Sequence, residues 1–215
     1  MNKEERYFHT IEHFKKAMPI AEPELHFINP FQLLCAVMLS AQCTDKRVNL
    51  VTPILFEKYP DASSLSQAKI ADVKELIKSI SYPNSKAEHL VKMAQALVLN
   101  HNGEVPQEID DLMKLSGVGR KTANVVTSVL YNRPVIAVDT HVFRVSHRIG
   151  LSDANTPEKV EAELEANISE DMRPIAHHWL ILHGRYICKA RAPRCRECAL
   201  KECCRFYESN SQTVF

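Results

Sequence analysis

The stretch Leu115-Ser116-Gly117-Val118-Gly119-Arg120-Lys121-Thr122-Ala123 decides how the chain is read. Two glycines two residues apart let the backbone turn with positive φ and come close to a partner, and Lys114 and Arg120 bring positive charge to the same place. Beyond them, Arg120 to Leu130 contains neither Gly nor Pro, and Ala123, Val126, Val129 and Leu130 recur at helical spacing. The glycines therefore stand at a helix N-terminus, where free amides and the helix dipole favour an anion such as a phosphate. An ordinary turn between two helices would need the glycines and nothing more. Lys121, in the first turn of the helix, is what adds chemistry. An ordinary lysine is almost wholly protonated at neutral pH, and the positive dipole end disfavours the ammonium, favouring the neutral amine that a nucleophile requires.

Eighteen residues after Lys121 the chain reads Val138-Asp139-Thr140-His141-Val142-Phe143-Arg144, which puts a carboxylate just before a second helix and makes an amine–acid pair. On these residues the chain resembles the endonuclease III family of DNA glycosylase/AP lyases, and the likeness runs almost from end to end. The resemblance implies that Leu115 to Ala123 is a helix-hairpin-helix whose Gly117, Gly119 and Arg120 meet the DNA backbone. It implies Lys121 as the nucleophile and Asp139 as the catalytic aspartate. Ser116 stands where the family usually has proline, which a type II turn tolerates at some entropic cost.

Composition makes Ser40-Ala41-Gln42-Cys43-Thr44-Asp45 a polar loop with caps, and the resemblance makes Gln42 the residue that enters the space vacated by a flipped base. Ser81-Tyr82-Pro83-Asn84 departs from the family, which usually reads Gly, an apolar residue, Tyr, Asn, with the apolar residue wedged into the strand opposite the lesion. Tyr82 takes the wedge position here. Its ring can stack on bases beside the gap, and Pro83 stiffens the loop. The plain alternative is that Tyr82 plugs its own loop.

With 215 residues, 45% of them apolar and 25% charged, the chain is globular and long enough for one large or two small domains. A net charge of +1 argues against nucleic acid, but the charge is unevenly placed. Arg185 to Arg205 holds seven basic residues against Glu197 and Glu202, whereas Asp153 to Asp171 holds seven acids and only Lys159. A local patch suffices for phosphate contacts. No apolar run approaches a membrane span, and Met-Asn-Lys-Glu-Glu is neither a signal h-region nor an Arg-rich transit sequence, so the cytoplasm is the expected compartment.

Helix signals fill the chain. Glu4 to Met18 carries Phe8, Ile11 and Phe14 at roughly helical spacing; Asn29-Pro30 caps and opens an apolar helix; Thr44 or Asp45 caps the next, which ends by Pro60. Lys69 to Ser79 turns Ile70, Val73, Leu76 and Ile77 inward, and Ser85-Lys86-Ala87-Glu88 reads as a capping box opening a helix that Asn102-Gly103 closes. Gln107 to Leu115 is the first helix of the hairpin, Thr140 to Ile149 closes on Gly150, and Thr156-Pro157 opens an acidic helix with Val160, Leu164 and Ile168 inward. In Pro174 to Ile187, Trp179, Leu182 and Tyr186 form a stripe beside His177, His178 and His183, read as core and capping residues. Only Val135 to Val138 has strand character, so the chain is all-α.

Of seven cysteines, Cys35 and Cys43 are isolated and read as buried thiols. Cys188, Cys195, Cys198, Cys203 and Cys204 crowd the C-terminus, which in a cytosolic chain suggests metal, and four thiolates suit zinc or a 4Fe-4S cluster equally. The resemblance points to a 4Fe-4S cluster on Cys188, Cys195, Cys198 and Cys204, with Cys203 spare; spacing alone also permits Cys203 as the fourth ligand. The cluster would staple a tail poor in apolar residues, while Lys189, Arg191 and Arg194 face the DNA backbone from the loop it ties down.

The resemblance implies two helical domains with the DNA cleft between them: a helical barrel over residues 23–133, and a cluster domain joining 1–22 to 134–215. It implies a monomer that excises oxidised or damaged pyrimidines from double-stranded DNA and nicks the abasic site by β-elimination. A monofunctional glycosylase of the same fold would lack Lys121 and carry a further C-terminal domain. A non-catalytic hairpin protein would not need Lys121 with Asp139, and an electron carrier would need no hairpin.

Overall fold

The computed structural model describes residues 1–211. Those residues form twelve α-helices and three short 3₁₀ turns (Glu170–Met172, Cys195–Glu197, Lys201–Cys203), with no strand among them. The helices are α1 (Lys3–Ala17), α2 (Pro30–Ser40), α3 (Asp45–Lys58), α4 (Ala62–Ser66), α5 (Ile70–Leu76) and α6 (Pro83–His101). They continue with α7 (Ile109–Met113), α8 (Arg120–Tyr131), α9 (Thr140–Ile149), α10 (Pro157–Asn167), α11 (Arg173–Tyr186) and α12 (Arg205–Ser211). Among the described residues no helix is long and apolar enough to cross a membrane.

The chain divides into two units, Pro23–Asn132 and Met1–Glu22 with Arg133–Phe215. The first holds α2 to α8. Every residue of α2 from Phe31 to Leu39 is buried, so this helix is apolar all round and forms the middle of the core. Around it, α3, α6 and α8 pack on α2, α4 and α5 pack on α6, and α7 packs on α8. The second unit is built on α9 against α11, with α10 and α12 on α9 and α1 on α11. Phe14 of α1 stacks on Trp179 of α11 at 5.7 Å, and the indole N–H donates to the Met18 carbonyl at 2.7 Å, so the aromatic pair also ties the end of α1.

Most helix starts follow from local capping. Asn29, Thr44 and Thr156 accept from backbone amides three residues on, and Gly150 closes α9 at φ +95°. One start differs from its sequence signal. Helix α6 begins at Pro83 with Tyr82 as its left-handed N-cap, and Ser85 donates its hydroxyl back to the Tyr82 carbonyl at 3.3 Å in place of capping. Proline is preset for the first helical position, so the helix starts there, two residues before the Ser85 signal. Helical spacing also overstates some apolar faces. Ile70, expected inward, is 43% exposed; Phe8, counted in the helical spacing of α1, is 64% exposed, and Tyr186 is 52% exposed at the end of its stripe. Ile70 and Tyr186 stand at the ends of helices whose faces are buried at Val73 and Trp179, whereas Phe8 lies on the side of α1 away from Phe14. Cys35 is fully buried and Cys43 half-buried, while Val135 to Val138 is an extended linker without a strand partner.

Candidate active site

The short helix α7 leads into the hairpin turn, whose two glycines differ physically. Gly117 has φ +78°, and a Cβ there would stand 2.8 Å from Cβ of His89 on α6 and 3.1 Å from the Met38 methyl on α2. It is therefore both a conformational and a steric necessity. Ser116 and His89 are hydrogen-bonded at 2.9 Å between Oγ and Nδ1, so the residue that replaces proline ties the turn to α6 by a side chain. Gly119 is the N-cap of α8 with φ −92° and open space where a Cβ would be. The amides of Arg120, Lys121 and Thr122 follow in the first turn of α8, where intrahelical acceptors do not reach. This end of α8 is an exposed anion seat, with Gly119, Arg120 and Lys121 all exposed. Lys114 is ion-paired to Asp111 at 2.8 Å, and that bond holds the Asp111 carboxyl low and the Lys114 ammonium high, so part of its charge is spent within α7.

Asp139 is the N-cap of α9. Its Oδ1 accepts from the amides of His141 and Val142, both at 2.8 Å. Both caps fall on one oxygen, so the helix end fixes the carboxylate's orientation while Oδ2 lies outside the capping pair. The sequence placed this residue before a helix; the backbone makes it the cap of that helix. Lys121 lies in one unit and Asp139 in the other.

Gln42 and Tyr82 share the hairpin's unit, and both are exposed with left-handed backbones, φ +54° and +56°. Non-glycine residues in that region are held there by their surroundings. The surroundings include a residue that sequence reading passed over. Lys86, only 9% exposed in α6, donates Nζ to the carbonyls of Leu39 at 2.8 Å and Ala41 at 2.6 Å, immediately before Gln42. Its one sequence signal is position: four residues after Tyr82 and one turn before His89, on a helix otherwise buried by Ala87, Leu90 and Val91.

At the other end of the chain, Cys188, Cys195, Cys198 and Cys204 line one cavity with Ile149, His183 and Leu200. Cys203 does not line it; its thiol donates to the Leu200 carbonyl at 3.3 Å. Two side chains meet the lining cysteines: Arg148 donates to Cys188 Sγ at 3.6 Å, and His183 Nε2 is hydrogen-bonded with Cys198 Sγ at 3.7 Å. Burial pushes the Cys198 thiol up to about 11, with the thiols of Cys204, Cys188 and Cys195 adding to the shift, and burial raises Cys204 as well. Thiolates gathered there are stabilised by a bound cation. Among the described residues no three His, Cys, Asp or Glu side chains are arranged to hold a single metal ion. Four thiols lining one cavity are a donor set for zinc or for an iron–sulfur cluster.

Between Cys188 and Cys195 the loop exposes Arg191 and Arg194 and half-buries Lys189. Arg148 clamps its backbone, donating to the carbonyls of Lys189 at 2.6 Å and Ala190 at 3.1 Å, and Arg144 donates to the Cys188 carbonyl at 3.1 Å. A cationic loop of fixed backbone suits sequence-independent phosphate contact.

Comparison with known proteins bears on this geometry. Residues 35–170 match the model of the HhH-GPD superfamily base excision DNA repair protein. The chain is 51% identical to the endonuclease III of Rickettsia felis over 92% of this chain and 93% of that protein. It is 42% identical to the endonuclease III of Escherichia coli over 97% and 98%. The fold superposes with a TM-score of 0.94 on a trapped endonuclease III–DNA covalent intermediate, 43% identical, covering 98% of this chain and all of the other.

Proposed function

Since the chain belongs to the HhH-GPD superfamily of base excision DNA repair proteins, and within it to the endonuclease III family, we propose how its own residues carry out the family's reaction. The protein is a base excision repair enzyme, both DNA glycosylase and AP lyase, and it acts on duplex DNA. Its substrates in this reading are oxidised or damaged pyrimidines and abasic sites, met by a monomer in the bacterial cytoplasm. One observation carries the assignment of the nucleophile: an exposed amine stands in the first turn of the helix behind the hairpin, in a chain closely similar to one trapped as a covalent intermediate with DNA.

Phosphate binding comes first. The first-turn amides of α8, with Gly119 leaving room and Arg120 adding charge, hold the backbone beside the lesion, and Arg191, Arg194 and Lys189 add contacts without sequence preference. The damaged nucleotide turns out of the stack, Gln42 fills the space it leaves, and Tyr82 wedges the opposite strand. Lys121 Nζ then attacks C1′; the new C–N bond forms as the glycosidic bond breaks and the base departs with a proton. Asp139 assists that proton transfer and stabilises positive charge developing on the sugar. Opening of the sugar gives a Schiff base, loss of a C2′ proton follows, and the C3′–O bond breaks, cutting the strand 3′ to the abasic site. Cys188, Cys195, Cys198 and Cys204 would hold a 4Fe-4S cluster, supported by their convergence on one cavity. When bound, it cross-links a tail of short 3₁₀ turns and steadies the cationic loop.

Borohydride trapping on a duplex containing thymine glycol tests the reading. The parent protein is expected to give a covalent adduct and a nick, and Lys121→Ala to give neither while binding an abasic-site duplex within about threefold of the parent, since it removes one exposed charge. Undiminished trapping by Lys121→Ala would make another amine the nucleophile.

A further inference from the structure

Helix α2 ends at Ser40, and the last carbonyls of a helix have no partner within it. Here several carbonyls at this end are met from outside the helix ladder. The Ser40 hydroxyl donates to the Val37 carbonyl at 2.9 Å, and the Cys43 amide donates to the Ser40 carbonyl at 3.0 Å. The carbonyls of Leu39 and Ala41 both receive the Lys86 ammonium, which reaches them from α6 across more than forty residues of sequence. An apolar side chain of equal length would fill the same space. It would leave two carbonyls unmet at the negative end of a helix dipole, where a cation is favoured. Burial pushes the Lys86 ammonium below its ordinary range, with Cys43 opposing that shift, so the two carbonyls take the place of lost water.

The residue after these carbonyls is Gln42, exposed and left-handed. The main-chain amide of the same Lys86 donates to the carbonyl of Tyr82, the second exposed left-handed residue of this unit, at 3.1 Å. One residue thus touches the backbone of both turns, by its side chain on one side and its amide on the other. The amide bond belongs to any helix start, but the side-chain bonds are particular to lysine.

We propose that Lys86 is a positioning residue, its buried ammonium bracing the backbone on the near side of Gln42 so that the glutamine is already aimed when a nucleotide leaves the stack. The proposal rests on the reading that Gln42 acts on opened DNA. Holding the loop before binding avoids the entropy of ordering it on DNA, so the brace acts on affinity for opened duplex.

Two measurements test it. Amide hydrogen exchange is followed on the free protein, and a double-mutant cycle of Lys86→Met with Gln42→Ala is run for binding to a duplex carrying a reduced abasic-site analogue. Lys86→Met is expected to speed exchange at Cys43 about tenfold, the scale of losing hydrogen bonds from a charged group, while later turns of α6 keep their protection. Each single variant is expected to bind about tenfold more weakly, and the double variant no more than about twofold below the weaker single one, because both disable the same contact. Unchanged exchange at Cys43 overturns the brace whatever happens on DNA. Losses that multiply to about a hundredfold show Lys86 acting by another route and overturn the positioning role. Faster exchange with Gln42→Ala binding like the parent leaves a brace that positions nothing for DNA, which overturns the proposal through the Gln42 reading. Should Lys86→Met not fold, Lys86→Gln, which keeps an N–H donor without the charge, replaces it in both arms.

Discussion

Replacing Gly117 by alanine is expected to damage the fold, whereas replacing Gly119 by alanine is expected to damage DNA binding. At Gly117 the cost has two parts. The backbone is left-handed at φ +78°, which an alanine occupies at a cost of about 1–3 kcal/mol. The new methyl would stand 2.8 Å from Cβ of His89 and 2.9 Å from its Cγ, atoms at the root of a side chain whose ring is bonded to Ser116. They can move only with α6, and such overpacking costs a further 1–3 kcal/mol or about that. Together these give roughly 2–6 kcal/mol, or a fall in melting temperature of roughly 4–24 °C for a chain of this size. At Gly119 the backbone is extended and nothing lies within 4 Å of the new methyl, so only the poorer N-cap counts, under about 1 kcal/mol. The same methyl projects beside the first amides of α8 and should weaken binding to an abasic-site duplex by about tenfold, the scale of losing one charge-assisted backbone contact. Thermal melts and binding titrations on both variants check this. If Gly117→Ala melts with the parent, or Gly119→Ala loses as much stability as Gly117→Ala, the division of labour is wrong.

Asp139→Asn keeps an acceptor at Oδ1 and hence both caps of α9, so it should melt within a few tenths of a kcal/mol of the parent, while Asp139→Ala loses about 1 kcal/mol. Single-turnover excision by Asp139→Asn should slow by at least about a hundredfold; a loss confined to affinity would remove the acid role. Protein purified without oxygen should carry about four iron per chain, kept in Cys203→Ser and lost in Cys204→Ser. Stoichiometric zinc in natively expressed protein, or the reverse pattern between these two cysteines, would refute the ligand assignment. Tyr82→Ala should weaken binding to a paired lesion by roughly fivefold or more, the scale of one base–aromatic stack, and matter much less for the same lesion in single-stranded DNA. Equal losses on both substrates would show that Tyr82 is not a wedge.

Local signals were the readable ones. Asn29, Thr44 and Thr156 cap the helices they precede, and Gly150 ends α9, because a cap is a bond between residues three or four apart and needs no tertiary partner. The Ser85 capping box failed for an equally local reason, since Pro83 offered an earlier start. Ile70 was misread because helical spacing identifies a face but not how far along it burial extends; at the first residue of α5 that depends on the neighbouring helix.

By itself the sequence determined an all-helical chain, the hairpin with its lysine, the aspartate at the head of the next helix, and a cysteine-rich tail with too little apolar surface to order itself. Each of these is written in residue type and short spacing, and short spacing is what local backbone geometry responds to. Tertiary structure alone decided the rest. It separated Gly117, pressed on His89, from Gly119, open to solvent, and turned Cys203 away from the cavity that its neighbour Cys204 lines. It also brought the ammonium of Lys86 onto two carbonyls more than forty residues earlier. These contacts join segments distant in sequence, and no periodicity along a chain encodes which buried donor will meet which orphaned acceptor once helices pack.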